Sequence, residues 1–144
     1  MGPDTFFFQQ DPKSKKVSGP FIRELKGRDV NELEVLKTRI KDFVVERDWD
    51  QFHSPKNLSM ALIVEASELV EHFQWMKQKD SFTLSKDKLA AVEEELADIL
   101  VYLVRIADQL DIDLINATMK KIKANEVKYP ADLVRGSSKK YTEY

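Results

Sequence analysis

Apolar residues recur at helical steps from about Val30 onward. Leu33, Leu36, Ile40, Phe43 and Val44 fall three and four apart, one stripe of a 3.6-residue period, and predict a first helix ending near Arg47. The segment Asp48-Trp49-Asp50-Gln51-Phe52-His53 breaks that period. Ser54-Pro55 then reads as an N-cap followed by proline at the first helical position, opening a second helix from Pro55 to about Lys77. Leu58, Ala61, Leu62, Leu69, Phe73 and Met76 mark its apolar side, and residues 78–84 read as a polar loop. Ser85 caps a third helix, Lys86 to about Leu110. Leu89, Val92, Leu96, Ile99, Leu100, Leu103, Ile106, Ala107 and Leu110 give that helix a wide apolar face. Asp113 caps a fourth helix, Leu114 to Lys128, and Pro130 lies just past its end.

No alternating β-branched run bounded by turn residues predicts a strand. Short connections favour antiparallel neighbours, so the expected fold is all-α, an antiparallel four-helix bundle over residues 29–130. Residues 1–28 hold three of the five prolines and three of the four glycines and read as a flexible N-terminal arm. Residues 131–144 are polar, basic from Arg135 to Lys140, and read as an extended tail.

Composition narrows the chemistry. With no cysteine, thiol catalysis, disulfides, cysteine–zinc sites and iron–sulfur clusters are excluded; two histidines exclude a histidine-rich metal site. Four glycines disfavour a glycine-rich phosphate loop. Lys plus Arg is 23 against 25 for Asp plus Glu, a net charge of -2, so no nucleic-acid partner is expected. No segment approaches the roughly 20 apolar residues of a membrane span, and Phe6-Phe7-Phe8 is too short for a signal-peptide core, so the expected location is cytoplasmic.

Two carboxylate pairs carry the candidate chemistry. Glu65 and Glu68 are three apart on the second helix; Glu95 and Asp98 are three apart on the third. That spacing puts each pair on one helical face. Both pairs are flanked by apolar residues, Leu62-Ile63-Val64 before Glu65 and Ile99-Leu100-Val101 after Asp98. In antiparallel helices the pairs can face each other, and four converging negative charges then either keep protons or bind a cation. Oxygen donors suit Mg²⁺ or Mn²⁺ before Zn²⁺. The alternative is ordinary solvated carboxylates paired with lysines. A di-iron site is disfavoured, because Glu-x-x-His is needed on two helices and His72 follows Glu68 by four. Trp49, Phe52, His53, Trp75 and Tyr102 are candidate stacking groups beside such a site, with Lys121 and Asn125 on the fourth helix.

Several stretches resemble the dCTP pyrophosphatase branch of the MazG-like nucleotide pyrophosphohydrolases. They are Glu46-Arg47-Asp48-Trp49-Asp50-Gln51-Phe52-His53-Ser54-Pro55, Glu65-Ala66-Ser67-Glu68-Leu69 running on to Trp75, Glu94-Glu95-Leu96-Ala97-Asp98-Ile99, Lys121 with Asn125, and Arg135-Gly136-Ser137. The resemblance spans about residues 30–142. It implies an all-α, Mg²⁺-dependent enzyme that cleaves a nucleoside triphosphate between the α and β phosphates, releasing monophosphate and pyrophosphate. It implies Mg²⁺ ligands at Glu65, Glu68, Glu95 and Asp98, with Glu65 or Glu68 also accepting a proton from the attacking water. It implies substrate-binding residues at Trp49, Asp50, Gln51, Phe52, His53, Trp75, Tyr102, Lys121 and Asn125. It further implies a homo-oligomer, a dimer of dimers with pockets shared between subunits, and a role in nucleotide-pool sanitation. One position departs from the animal relatives: Ile40 stands where they carry a histidine near the base. Other readings are a dUTP, dATP or modified-nucleotide pyrophosphatase, or a non-catalytic helical dimerisation module.

Overall fold

Helix formation starts where the apolar stripe starts. In the computed structural model, which describes residues 31–140 and Thr142, Asn31 sits in extended backbone and α1 runs Glu32–Glu46. A 3-10 turn follows at Asp50–Phe52, then α2 at Pro55–Glu71, a second 3-10 turn at Asp80–Phe82, α3 at Lys86–Gln109, α4 at Leu114–Lys128 and a short α5 at Ala131–Val134. The described residues contain no strand, so the fold is all-α as expected. The expected arm over residues 1–28 lies outside the described residues.

The caps read from sequence are the caps observed. Ser54 accepts from the Asn57 N–H at 3.2 Å, Ser85 from Lys88 at 3.3 Å and Asp113 from Asn116 at 2.9 Å. Each satisfies a backbone donor that the first helical turn leaves without a partner. After α1 the chain reverses through Asp48, which adopts φ 53°, a left-handed conformation that aspartate tolerates. That reversal swings Trp49 back onto Phe43, edge to face at 5.8 Å between ring centroids.

Two elements differ from the sequence reading. The second helix ends at Glu71, six residues before Lys77. There the ladder passes to tighter turns, with Phe73 N–H bonded to Val70 O and Met76 N–H to Phe73 O, each at 2.9 Å. His72-Phe73-Gln74-Trp75 holds three middling helix formers in four, which weakens the continuation of the helix there. The tail expected to be extended opens with the α5 turn, which Pro130 starts from the N-cap position.

The core sits where α1 and α2 both pack on α3. Ile40, Val44, Leu58, Tyr102 and Val104 are its buried members, flanked by Leu33, Leu36, Phe43, Trp49, Ala61 and Leu62. The broad apolar face of α3 is not buried as a whole. Val92 and Ala107 are buried, whereas Leu89, Leu96, Leu103 and Leu110, spaced seven apart, are exposed. No residue of α4 is buried, and Ile115, Met119 and Ile122 form an exposed apolar stripe along it. No helix among the described residues is long and apolar enough to cross a membrane.

Candidate active site

α2 and α3 bring the acidic residues together. Carboxylate oxygens of Glu65, Glu95 and Asp98 all lie within 4.8 Å of one another. Glu65 is 2% exposed, while Glu95, Asp98 and Glu68 are half-buried. Burial pushes the Glu65 carboxyl up to about 7, with further repulsion from Asp98, Glu68 and Glu95. Burial likewise pushes Asp98 up to about 6, with Glu95, Glu94 and Glu68 adding to it. Glu68 lies in the field of both groups but outside the tight trio.

The donor set fits a hard divalent cation. All donors are carboxylate oxygens, and oxygens sharing one small ion stand about 3–4 Å apart, a small adjustment from the observed spacing. A cation placed there would offset both the burial and the like-charge repulsion that favour the protonated forms of Glu65 and Asp98.

A second group of side chains supports the trio. His72, the C-cap that follows α2, has Nδ1 3.0 Å from Lys88 Nζ and Nε2 3.6 Å from Glu95 Oε1. An ammonium only donates, so the Lys88 contact uses Nδ1 as acceptor and leaves Nε2 as the nitrogen on the Glu95 side. Sequence spacing pointed to His72 only as a failed di-iron ligand. Its role beside Glu95 depends on the α2–α3 register.

Next to the acidic trio, Trp49, Phe52, His53, Asn57, Leu58, Ala61 and Tyr102 line a small open recess of about 60 Å³. Tyr102 joins the two regions. It lines the recess, and burial raises its phenol pKa, with Glu65 and Asp98 adding to the effect, so the hydroxyl stays protonated. His53 is buried, and both its desolvation and the nearby Arg105 guanidinium lower its pKa against the opposing pull of Asp50. Asn57 Nδ2 donates to Phe52 O at 3.0 Å and ties the recess wall to α2. Asn57 and Ala61 line the recess although residue chemistry alone did not single them out. Ile40 lies in the core with Leu58 and Tyr102 and presents no polar atom there.

The remaining residues singled out from sequence are elsewhere in a single chain. Asp50 accepts from Arg105 and from Gln109 Nε2, the latter at 3.3 Å. Gln51 Nε2 donates to Asp48 O and Oδ2, both at 2.9 Å. Trp75 is 89% exposed on the turn after α2. Lys121 and Asn125 are exposed on α4. None of these five lines the recess. A larger open cleft lies between α1, the end of α3 and α4, lined by Lys37, Ala107, Asp108, Leu114 and Met119 among others, away from the trio.

A sequence profile of the MazG-like family matches residues 60–144. The human protein named dCTP pyrophosphatase 1 is 44% identical over 113 residues, 77% of this chain and 66% of that protein, so the chain spans just under two thirds of that relative. Its bovine counterpart is 43% identical over 133 residues, 91% of this chain and 76% of that protein. The crystal structure of a pyrophosphatase from Archaeoglobus fulgidus DSM 4304 superposes with a TM-score of 0.67 at 36% identity, covering 72% of this chain and 96% of that one.

Proposed function

The chain belongs to the MazG-like family, and from that premise we propose that it hydrolyses dCTP or a related deoxynucleoside triphosphate to the monophosphate and pyrophosphate. The observation that carries this reading is the position of Tyr102, which borders both the aromatic recess and the acidic trio. A base held in the recess leaves its phosphates directed at Glu65, Glu95 and Asp98.

In this reading Glu65, Glu68, Glu95 and Asp98 hold Mg²⁺, with Mn²⁺ as a substitute. When bound, the metal neutralises phosphate charge and increases the acidity of water. Trp49 and Phe52 sandwich or border the base through their ring faces. Tyr102, kept protonated, offers a hydrogen bond near the junction of base and phosphates. His53, its pKa lowered, favours the neutral imidazole, able to donate from one nitrogen and accept at the other. Glu65 or Glu68 accepts the proton of the attacking water. A triphosphate carries about four negative charges, so cations near it matter; Lys121 and Asn125 reach it only if a second subunit brings α4 to the recess.

The same argument supports a homo-oligomer. The exposed stripes Leu89-Leu96-Leu103 on α3 and Ile115-Met119-Ile122 on α4 would be unusual on a lone subunit. A dimer of dimers would cover them and bring the exposed Trp75, Lys121 and Asn125 near a neighbour's recess.

Base preference within the deoxynucleotides follows from the recess wall. Ile40 offers no hydrogen bond, so discrimination rests on the His53 and Asn57 side of the recess, and dUTP, dATP and modified cytosine nucleotides belong in the same comparison. The test is pyrophosphate release from a panel of triphosphates with Mg²⁺, compared by kcat/KM. The expected result is turnover that EDTA abolishes and that is highest for a cytosine nucleotide. Absence of pyrophosphate from every triphosphate would leave a helical dimerisation module as the better reading.

A further inference from the structure

Arg105 is the most deeply buried cation among the described residues, at 3% exposed. It lies on α3 one turn beyond Tyr102, on the core side of the helix. Its guanidinium donates to two carboxylates at once, through NH1 to Asp108 Oδ2 at 2.7 Å and through NH2 to Asp50 Oδ1. The first partner is on its own helix. The second begins the 3-10 turn that carries Phe52 and leads into His53, and it is reached across 55 positions of sequence.

Two further groups complete the network. Gln109 Nε2 donates to the same Asp50 oxygen at 3.3 Å, and Lys37 of α1 lies 3.4 Å from Asp108 Oδ1. Lys37, Asp108, Arg105 and Asp50 therefore alternate in sign across α1, α3 and the turn. Planar guanidinium geometry allows one side chain to fix two carboxylates in set directions, which a lysine cannot do. A buried arginine is costly unless its charge is met, and here two carboxylates meet it.

Within the turn, Phe52 N–H bonds Trp49 O at 2.9 Å and His53 N–H bonds Asp50 O at 3.1 Å, and Gln51 Nε2 donates to Asp48. Asn57 anchors its far end to α2. Arg105 anchors its near end to α3, so the two anchors hold the recess wall against both helices that carry the acidic trio.

We propose that Arg105 is a positioning residue: by clamping Asp50 to α3 it sets the distance between the aromatic wall at Phe52 and His53 and the floor at Tyr102, and so governs how tightly a nucleobase is held. This rests on the reading of the recess as the base site. Arg105 does not line the recess, so its effect is on binding rather than on the chemical step.

The test compares Arg105→Gln, Asp50→Asn, the double variant and Phe52→Ala in the full chain. The readouts are KM and kcat for dCTP and the Mg²⁺ concentration for half-maximal rate, with circular dichroism to check folding. Asp50 is 59% exposed in its side chain, so Asp50→Asn keeps the fold and the test stands even if Arg105→Gln unfolds. The expected result is a rise in KM of about tenfold in either single variant, with kcat changed by less than about threefold and half-maximal Mg²⁺ unchanged. The double variant is expected to be no worse than the worse single one, because both remove the same link. Unchanged KM in the folded variants overturns the clamp, as does a loss confined to kcat, or a double variant that multiplies the two single effects. If Phe52→Ala raises KM while the Asp50 and Arg105 variants do not, the clamp falls and the base site stands. If Phe52→Ala also leaves KM unchanged, the base-site reading falls and takes the clamp with it.

Discussion

Asp98 on α3 is, after burial itself, the largest cause of the raised pKa of Glu65 on α2. The two carboxylates belong to different helices, and their oxygens lie within 4.8 Å of one another. Two acids brought this close by packing are a strained arrangement unless protons or a cation offset the charge.

The sign of the pH dependence follows. Glu65 titrates near 7 in the folded chain against an ordinary 4.5, so the folded state holds a proton that the unfolded state releases. The metal-free protein should therefore lose stability as pH rises from about 4.5 through 7. Mg²⁺ must displace that proton, so its stabilising effect should grow over the same range. Thermal melts in EDTA and in Mg²⁺ at pH 5.5 and pH 8 check this; a Mg²⁺-induced rise in Tm that is larger at pH 5.5 would contradict it.

Glu95→Gln keeps the size of the side chain and removes one charged donor. Pyrophosphate release from dCTP should fall by about a hundredfold or more while the circular dichroism spectrum is retained. Near-normal turnover would remove Glu95 from the metal site.

His72 lies between Lys88, 3.0 Å from its Nδ1, and Glu95, 3.6 Å from its Nε2. Groups that orient a metal ligand in this way typically contribute about 10–100-fold to metal affinity or activity. His72→Phe should raise the Mg²⁺ concentration for half-maximal rate by about tenfold, with saturating Mg²⁺ restoring most of the rate. A Mg²⁺ titration of the variant measures it.

Leu58 is among the most buried side chains of the core and also borders the recess. Leu58→Ala removes packing against Val44 and Tyr102 and should cost about 2–5 kcal/mol by the usual large-to-small range. Denaturant unfolding checks the stability change, and a shift below about 1 kcal/mol would mean that the site collapses to fill the gap.

Ile122→Glu on α4 places a charge in the exposed apolar stripe. If that stripe is the surface between subunits, the variant should elute as a smaller species than the parent chain on size exclusion and lose activity with it. An unchanged elution volume would mean that another face carries the assembly.

Much of the helical layout was legible because its signals are local. Ser54, Ser85 and Asp113 bond the backbone three residues ahead, so a cap can be read from a few neighbouring positions. The end of α2 was less legible, since weak propensity over His72–Trp75 competes with an apolar stripe that continues through Phe73 and Met76. Spacing of three identified Glu65 with Glu68 and Glu95 with Asp98 as same-face pairs. It did not identify which member of each pair is buried, because the depth of a side chain depends on the rotation of α2 against α3.

By itself, then, the sequence determined an all-helical chain, its caps and turns, and two acidic pairs with no thiol or histidine cluster as rivals. Those features follow from local backbone hydrogen bonding, side-chain periodicity and composition. Tertiary structure alone decided that Glu65, Glu95 and Asp98 form the tight trio, that Tyr102 borders both the trio and the recess, and that Arg105 reaches Asp50. Each of these depends on the register between helices distant in sequence, which is set by how Val44, Leu58, Tyr102 and Val104 pack together. The same packing turns half of α3's apolar face outward, a division that one-dimensional periodicity has no means to express.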